Sequence, residues 1–339
     1  MDLLQWLGFS AIIVAVYVIW QIRQILLLVF TSIVLAISLN LIVERFCKLG
    51  LKRNYSVMVA SAIFLVSIVL FFCIIVPSLA LQLKQLFELL PRGLEKIVSE
   101  IERLRSFFSP QPKERVLDVK SFIGQIQPII NDLLNRGISF ISGVLGALLS
   151  GVLLIALTLM FLGEPTPYRQ GIIKTFPAFY RKRVAEIIDR IEAELKEWLT
   201  DTFIRIISVT SLTYLCLHLV GIPLELVQSL MAGILSFTPY IGATVSVLSP
   251  LAISFISSPW KPWVILLSYT LIFVITDRII IPKLRKNRVT LNPANILIAE
   301  VIFANLLGLL GLFLVVPLTI LIQIIVEEIL IKDVFEQWQ

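Results

Sequence analysis

The sequence has little of the chemistry on which most enzymes and metal sites depend. Its 339 residues include a single histidine, His218, and three cysteines that lie far apart without CxxC spacing. Such a set predicts neither a disulfide framework nor a metal site. The chain also lacks HExxH, GxSxG and phosphate-binding glycine motifs, so hydrolytic chemistry and direct use of ATP are not indicated. We therefore predict a protein that is not an enzyme and needs no cofactor or metal.

Charged residues are also scarce for a chain of this length. Only 15% of the residues are charged and 58% are hydrophobic, which gives a mean hydropathy of +0.94. A water-soluble globule with this balance would aggregate. The formal charge of +6 is small, and in a membrane protein it reflects orientation rather than nucleic-acid binding. The composition predicts an integral membrane protein whose surroundings are the lipid bilayer.

Apolar runs divide the chain into membrane spans and polar segments. A helix needs roughly 20 apolar residues to cross about 30 Å of hydrocarbon. Between such runs, two polar segments carry helical periodicity, one predicted outside the membrane and one in the cytoplasm. The long runs are residues 25–43, 57–81, 138–162, 203–220 and 263–281. The predicted divisions are residues 1–81, 82–137, 138–162, 163–202 and 203–339.

Positive charge sets the predicted orientation. The loop at residues 44–53 carries four Lys and Arg residues against one acidic residue, Glu44, and short loops with this excess stay in the cytoplasm. A second basic loop, residues 282–288, agrees with the resulting count. The N-terminus is then expected in the cytoplasm. Two alternatives stay open for residues 3–20, which either span the membrane or lie at its surface.

Two elements in the C-terminal half consist of short apolar runs joined by a break. Broken helices in paired positions are typical of a transporter's substrate site, because half-helix ends expose N–H and C=O groups. The alternative is that the breaks pack against neighbouring helices through small residues. The candidate substrate contacts are Ser236, Thr238, Pro239, Tyr240, Gly242 and Thr244 at the first break, and Asn305, Gly308 and Gly311 at the second.

Three ionisable residues lie within or beside the apolar runs. Glu300 stands in the middle of "ILIAEVIFANL", where a carboxylate costs about 2.5–3.5 kcal/mol on insertion scales. Glu300 is the candidate for proton or cation coupling, against a structural hydrogen bond to a neighbouring helix. Asp277 is a second coupling candidate, although a charge at the end of a span is more often an interfacial anchor. His218 is expected to be a neutral, packed imidazole.

Three motifs resemble a known family. "GIPLELVQSLMAGILSFTPYIGATVSVLSP", "DRIIIPKLRKNRVTLNP" and "LLGLLGLFLVVPL" are similar, in order and spacing, to signature segments of the autoinducer-2 exporter family. The family's Pro-Tyr-x-Gly turn falls on Pro239, Tyr240 and Gly242, and its Gly-x-x-Gly falls on Gly308 and Gly311. The resemblance implies a bacterial inner-membrane transporter with about eight spans. It also implies a homo-oligomer, pentameric in form.

Together these observations predict an all-α polytopic membrane protein with two interrupted hairpins and a small extramembrane helical segment. The expected function is secondary export of a small polar solute or signal molecule such as autoinducer-2, coupled to an ion gradient. Monovalent cation/proton antiport is the first alternative, since the resemblance extends to such members. A non-transporting scaffold or a passive pore is the alternative from another class.

Overall fold

A computed structural model describes residues 20–70, 144–284 and 292–335, together with Val14, Tyr17 and Val18. All regular structure within these residues is helical. The predicted extramembrane segment, residues 82–137, lies outside the described residues, as does most of the first apolar run. The helices are α1 Arg23–Lys48, α2 Arg53–Leu70, α3 Val144–Gly163, α4 Pro165–Thr175, α5 Arg181–Val220, α6 Glu225–Leu235, α7 Ile241–Ser257, α8 Lys261–Ile275, π1 Thr276–Ile280, α9 Ile281–Leu284, α10 Pro293–Phe313, α11 Val315–Ile325 and π2 Val326–Phe335.

Four of the described helices are long and apolar enough to cross a membrane. They are α1, α2, α5 and the run Lys261–Leu284 that begins with α8. A fifth results if α3 and α4, which meet at a 90° bend, are counted as one broken span. Three shorter apolar helices lie in α6, α7 and α10. The chain is therefore a multi-pass, all-helical membrane protein in its described part, whereas the total of eight spans stays a prediction.

Helix α5 is longer than the sequence analysis predicts. A cytoplasmic helix within residues 163–202 and a separate span at 203–220 were expected, but one helix of 40 residues covers both. Residues 181–220 contain neither glycine nor proline, the residues that most often end helices. The helix ends where Gly221 adopts a positive φ of 67°, two residues before Pro223.

The chain forms two compact units. The first comprises residues 1–64, 146–196 and 290–339, and the second comprises residues 65–145 and 197–289. In the first unit, α1, α2 and α3 meet in an apolar cluster that includes Leu39, Val43, Ala60 and Leu162. Within a membrane such contacts stabilise by close van der Waals packing, because lipid tails are as apolar as these side chains.

The second unit is built from the C-terminal half of α5 and helices α6, α7 and α8. Helix α7 packs against both α6 and α8. Helix α6 approaches α5 closely at Gly233, where a Cβ atom would collide with the Thr210 hydroxyl and crowd the Ile206 carbonyl. The shared core contains Val209, Leu217, Ile222, Ala232, Ile253, Ile265, Tyr269 and Ile272. This core surrounds the residues at which the first candidate site lies.

Candidate functional site

The first predicted break lies between α6 and α7 in the second unit. Helix α6 has 11 residues, which is about 16 Å of helix and only half of a bilayer core. After it the chain turns through residues 236–240 and starts α7. Gly242 is required here, because a Cβ atom would collide with the Leu235 carbonyl and the Thr238 hydroxyl. The break is thus a tight turn in which α7 starts directly against the end of α6.

Most hydroxyl groups at this turn donate to nearby backbone carbonyls. Ser236 Oγ donates to Gly233 O at 2.6 Å, and Thr238 Oγ1 donates to Leu235 O at 3.0 Å. Thr244 Oγ1 donates to Tyr240 O at 3.0 Å. The Leu235 and Tyr240 carbonyls also accept the backbone N–H groups of Thr238 and Thr244, so these hydroxyls reinforce bonds that the turn already makes. The hydroxyl oxygens can still accept a hydrogen bond, so the predicted role of these residues as substrate contacts stays a prediction.

The N-terminus of α7 lies at the same turn. Tyr240 is the N-cap residue, and its side chain makes no capping hydrogen bond. Pro239, which precedes it, has no N–H group of its own. The first turn of a helix carries N–H groups with partial positive charge. Ser236 and Thr238 are almost completely buried beside this turn, so the donors lie next to buried hydroxyls.

Two buried hydroxyl groups in the same unit escaped the sequence analysis. Thr213 is fully buried and Tyr269 is 2% exposed, and neither hydroxyl has a hydrogen-bond partner among the described residues. Thr213 lies on the α5 face that Val209 and Leu217 also occupy, and Tyr269 packs in the core that those two residues share. An unsatisfied buried hydroxyl costs about 1–3 kcal/mol. No local pattern marks these residues, since both stand in apolar runs where a packed side chain is expected.

The second predicted break lies within α10 in the first unit. Gly308 has φ 68° and ψ −150°, a conformation open almost only to glycine. After it, Gly311 lies against the Phe303 carbonyl and Leu307, where a Cβ atom would collide with both. The chain therefore bends sharply at Gly308 before α11, and each glycine is needed for a different reason. Whether this element re-enters the membrane stays a prediction.

Glu300 and Asn305 occupy different faces of α10. Glu300 is completely buried, whereas Asn305 is exposed among apolar neighbours. Five residues correspond to about 500° of helical rotation, so the two side chains point well apart. The structure therefore does not bring these two candidates together. A buried carboxyl in an apolar helix agrees with the predicted coupling role of Glu300 and with its structural alternative, and both stay open.

The charges at the ends of the second unit have partners. Arg205 donates to Asp277 Oδ1 with an N–O distance of 3.0 Å, which fits the anchoring alternative for Asp277. His218 is not packed as predicted, because its side chain is 62% exposed and lies 3.1 Å from Glu225 Oε1. The expectation of burial was wrong because apolar sequence neighbours do not fix which face of a helix is covered.

A cluster of ion pairs joins α5 to π2 in the first unit. Glu328, 5% exposed, accepts hydrogen bonds from Arg183 Nη2 at 2.7 Å, from Lys332 Nζ at 2.8 Å and from Arg190. Glu327 accepts a further bond from Arg190. The Lys332 bond, followed by those from the two arginines, lowers the pKa of Glu328 to about 2. The sequence analysis did not identify this cluster.

The fold and these sites define a multi-pass helical membrane protein with polar breaks in its apolar helices. A sequence model described as the AI-2E family transporter matches residues 9–331. The chain therefore belongs to the AI-2E transporter family, as the resemblance of its three motifs predicts.

Curated relatives are distant but cover most of the chain. The "AI-2 transport protein TqsA" of Escherichia coli K12 is 22% identical over 88% of this chain and 84% of the relative. The "Putative transport protein YrrI" of Bacillus subtilis is 20% identical over 91% of this chain and 88% of the relative. The "Putative transport protein sll0060" of Synechocystis is 24% identical over 74% and 72%. Membership in a family of transporters agrees with the prediction that the chain is not an enzyme.

Proposed function

We propose that this chain is a secondary transporter that exports a small polar solute or signal molecule across the bacterial inner membrane. The relative TqsA is named for transport of AI-2, and a solute of that kind is the first candidate. The proposed carrier works as a homo-oligomer, pentameric in form, with its N-terminus in the cytoplasm. An ion gradient supplies the energy, since the sequence contains no phosphate-binding glycine motif.

The observation that carries the proposal is the turn between α6 and α7. Two apolar helices meet there at buried hydroxyls and at a helix start without a side-chain cap. Backbone groups exposed at a break cost several kcal/mol each in lipid, so such a break persists when protein, water or a solute satisfies them. Thr213 and Tyr269, whose buried hydroxyls lack partners in the described part of the chain, are further polar groups in the same unit.

Glu300 is the proposed coupling group. Its side chain is completely buried in a helix that contains no other charged residue between Pro293 and Phe313. A carboxyl group at membrane depth is costly unless a proton, a cation or a protein group accompanies it. The same property supports the second candidate function, antiport of a monovalent cation against protons. Asp277 is the lesser candidate, because Arg205 already neutralises it.

Transport by purified protein in proteoliposomes tests the proposal. Vesicles are loaded with unlabelled autoinducer-2 and diluted into labelled autoinducer-2 at several pH values. A carrier gives counterflow, in which the labelled solute accumulates transiently against its gradient. We expect counterflow that depends on pH in the natural protein, and we expect Glu300→Gln to transport without that dependence. Asp277→Asn serves as the matched control and should keep it.

Each alternative function has its own outcome in the same vesicles. Proton movement driven by Na⁺ or Li⁺, without solute counterflow, would replace export with cation/proton antiport. Flux that neither saturates nor shows counterflow would indicate a passive pore. Absence of solute, cation and proton movement under every gradient would favour a scaffold and refute transport. Unchanged pH dependence in Glu300→Gln would remove that residue from coupling while leaving export intact.

A further inference from the structure

Helix α4 bends sharply away from the C-terminal end of the apolar helix α3. Helix α3 runs to Gly163 through 20 residues without a charge. Pro165 then starts α4, which bends from α3 by 90°. Such a bend is compatible with a helix that lies along the membrane surface. Residues 165–183, which include α4 and the start of α5, are named the α4 surface here.

The α4 surface exposes a stripe of large apolar side chains. Tyr168 and Ile172 are four residues apart and share one side of α4, and Phe176 directly follows the last residue of the helix. Their exposed fractions are 38%, 51% and 38%, and Phe179 in the following turn is 87% exposed. A contiguous apolar stripe of this size on an otherwise polar segment indicates contact with a membrane or another protein.

Contacts within the first unit hold this stripe in position. Tyr168 packs edge-to-face on Phe161 of α3, with ring centroids 4.8 Å apart. Arg169 pairs with Asp189 of α5 at 2.6 Å. Arg181 Nε donates to the Phe176 carbonyl at 3.0 Å and thereby caps the end of α4. Tyr168 and Arg169 thus hold α4 against α3 and α5, while Ile172 beside them stays half exposed.

The charge of the α4 surface indicates what kind of partner covers its apolar stripe. Residues 165–183 contain five basic residues and no acidic residue. Lys174, Arg181 and Lys182 among them are exposed. Arg53, at the start of α2, lines an open cleft with Gly163, Glu164 and the first residues of α4, so this cleft holds one cation and one carboxylate and the positive charge lies farther along the surface. Apolar side chains flanked by cations at the end of an apolar helix match a bilayer with negatively charged headgroups.

We propose that the α4 surface is an interfacial anchor that inserts Ile172, Phe176 and Phe179 into the bilayer boundary and binds anionic phospholipid headgroups. The cations lie at the level of the phosphates, and the aromatic rings lie just below them. This contact fixes the end of α3 and the start of α5 relative to the membrane plane. It does not depend on which solute the protein carries.

Spin labels on the full chain test the depth of this surface. The three cysteines are first replaced by Cys47→Ser, Cys73→Ser and Cys216→Ser. One variant then carries a label at Phe179→Cys, and the matched control carries it at Lys174→Cys, on the other side of α4. Both are placed in nanodiscs of phosphatidylcholine with phosphatidylglycerol. We expect the label at 179 to be relaxed mainly by oxygen, and the label at 174 mainly by a water-soluble nickel complex.

A second measurement tests the headgroup preference. Native mass spectrometry counts the phosphatidylglycerol and phosphatidylcholine molecules that stay bound to the purified protein. Each cation near a membrane surface adds to the binding free energy of anionic lipid. Lys182→Gln should therefore weaken phosphatidylglycerol retention about fivefold. Phosphatidylcholine retention should not change.

Three results would overturn the proposal. Equal nickel accessibility at 179 and 174 would place the stripe in water. A label at 179 that neither reagent reaches would mean that protein, such as a second copy of the chain, covers the stripe. Unchanged phosphatidylglycerol retention in Lys182→Gln would remove the headgroup site.

Discussion

Replacing Glu328 by glutamine should destabilise the first unit more than any other single charge removal in the ion-pair cluster. Glu328 is 5% exposed and lies against Arg183, Arg190 and Lys332. The variant keeps the shape of the side chain, but it leaves two guanidinium groups and an ammonium group without their shared carboxylate. The NH₂ group of the glutamine amide would also face the N–H donors of these basic side chains, and it cannot accept hydrogen bonds from them.

The magnitude follows from how deeply each partner is buried. Breaking a fully buried pair costs about 3–5 kcal/mol, whereas exposed pairs are worth about 0–1 kcal/mol. Arg183 and Arg190 are 30% and 34% exposed, so water partly solvates them after the change. We therefore expect Glu328→Gln to lower the free energy of unfolding by about 2–3 kcal/mol, between these limits.

Glu327→Gln is the matched control. It is the neighbouring residue, it is 38% exposed, and it bonds the same Arg190 at 2.9 Å. Its loss should cost less than about 1 kcal/mol. Unfolding of both variants in a detergent titration, followed by circular dichroism, gives the comparison. Equal losses in the two variants would refute the argument that burial of Glu328 makes this cluster strong.

Further predictions concern protons and backbone. The pKa of Glu328 is about 2 against an ordinary 4.5, so the stabilisation by its carboxylate is complete above pH 4.5 and is lost as pH falls toward 2. In an acid titration, the free energy of unfolding should therefore fall less in Glu328→Gln than in the natural protein. Equal falls in the two proteins would contradict this expectation. Gly308→Ala should cost about 1–3 kcal/mol, because alanine cannot adopt that conformation cheaply. Gly171→Ala, in a helix with no neighbour within 4 Å, is its control for thermal unfolding and should be neutral or stabilising. Tyr269→Phe removes a buried hydroxyl without a partner in the described part of the chain, so without solute it should stabilise by about 1 kcal/mol while slowing counterflow. A less stable Tyr269→Phe protein would mean that the hydroxyl is already satisfied.

Much of the helix pattern could be predicted from local sequence. The runs at 25–43 and 57–81 correspond to α1 and α2, and the interruption expected near residues 238–242 falls where α6 gives way to α7. The helical periodicity of the polar segment before residue 203 also agrees with α5, whose buried side chains include Val184, Ile187, Leu195 and Trp198. Hydrophobic periodicity, glycine and proline act within a few residues, so the sequence carries this information directly.

The arrangement of the candidate site residues could be predicted much less well from local sequence. Glu300 and Asn305 are only five residues apart in the sequence, but α10 turns them to different sides. His218 was expected to be packed, and the helix instead turns it outward beside Glu225. In each case the residue type was visible in the sequence, whereas the face it occupies depends on which neighbours cover the helix.

The sequence by itself determined that this protein is a helical membrane protein, where most of its helices stop, and to which family it belongs. Only the tertiary structure decided which polar groups meet. Arg183 reaches Glu328 across 145 positions, and Arg205 reaches Asp277 across 72. The unsatisfied hydroxyls of Thr213 and Tyr269 likewise emerge only when α5 and α8 pack into one core. The physical reason is that chain stiffness and hydrophobic period act locally, whereas pairing of charges and burial of hydroxyls depend on helices far apart in sequence.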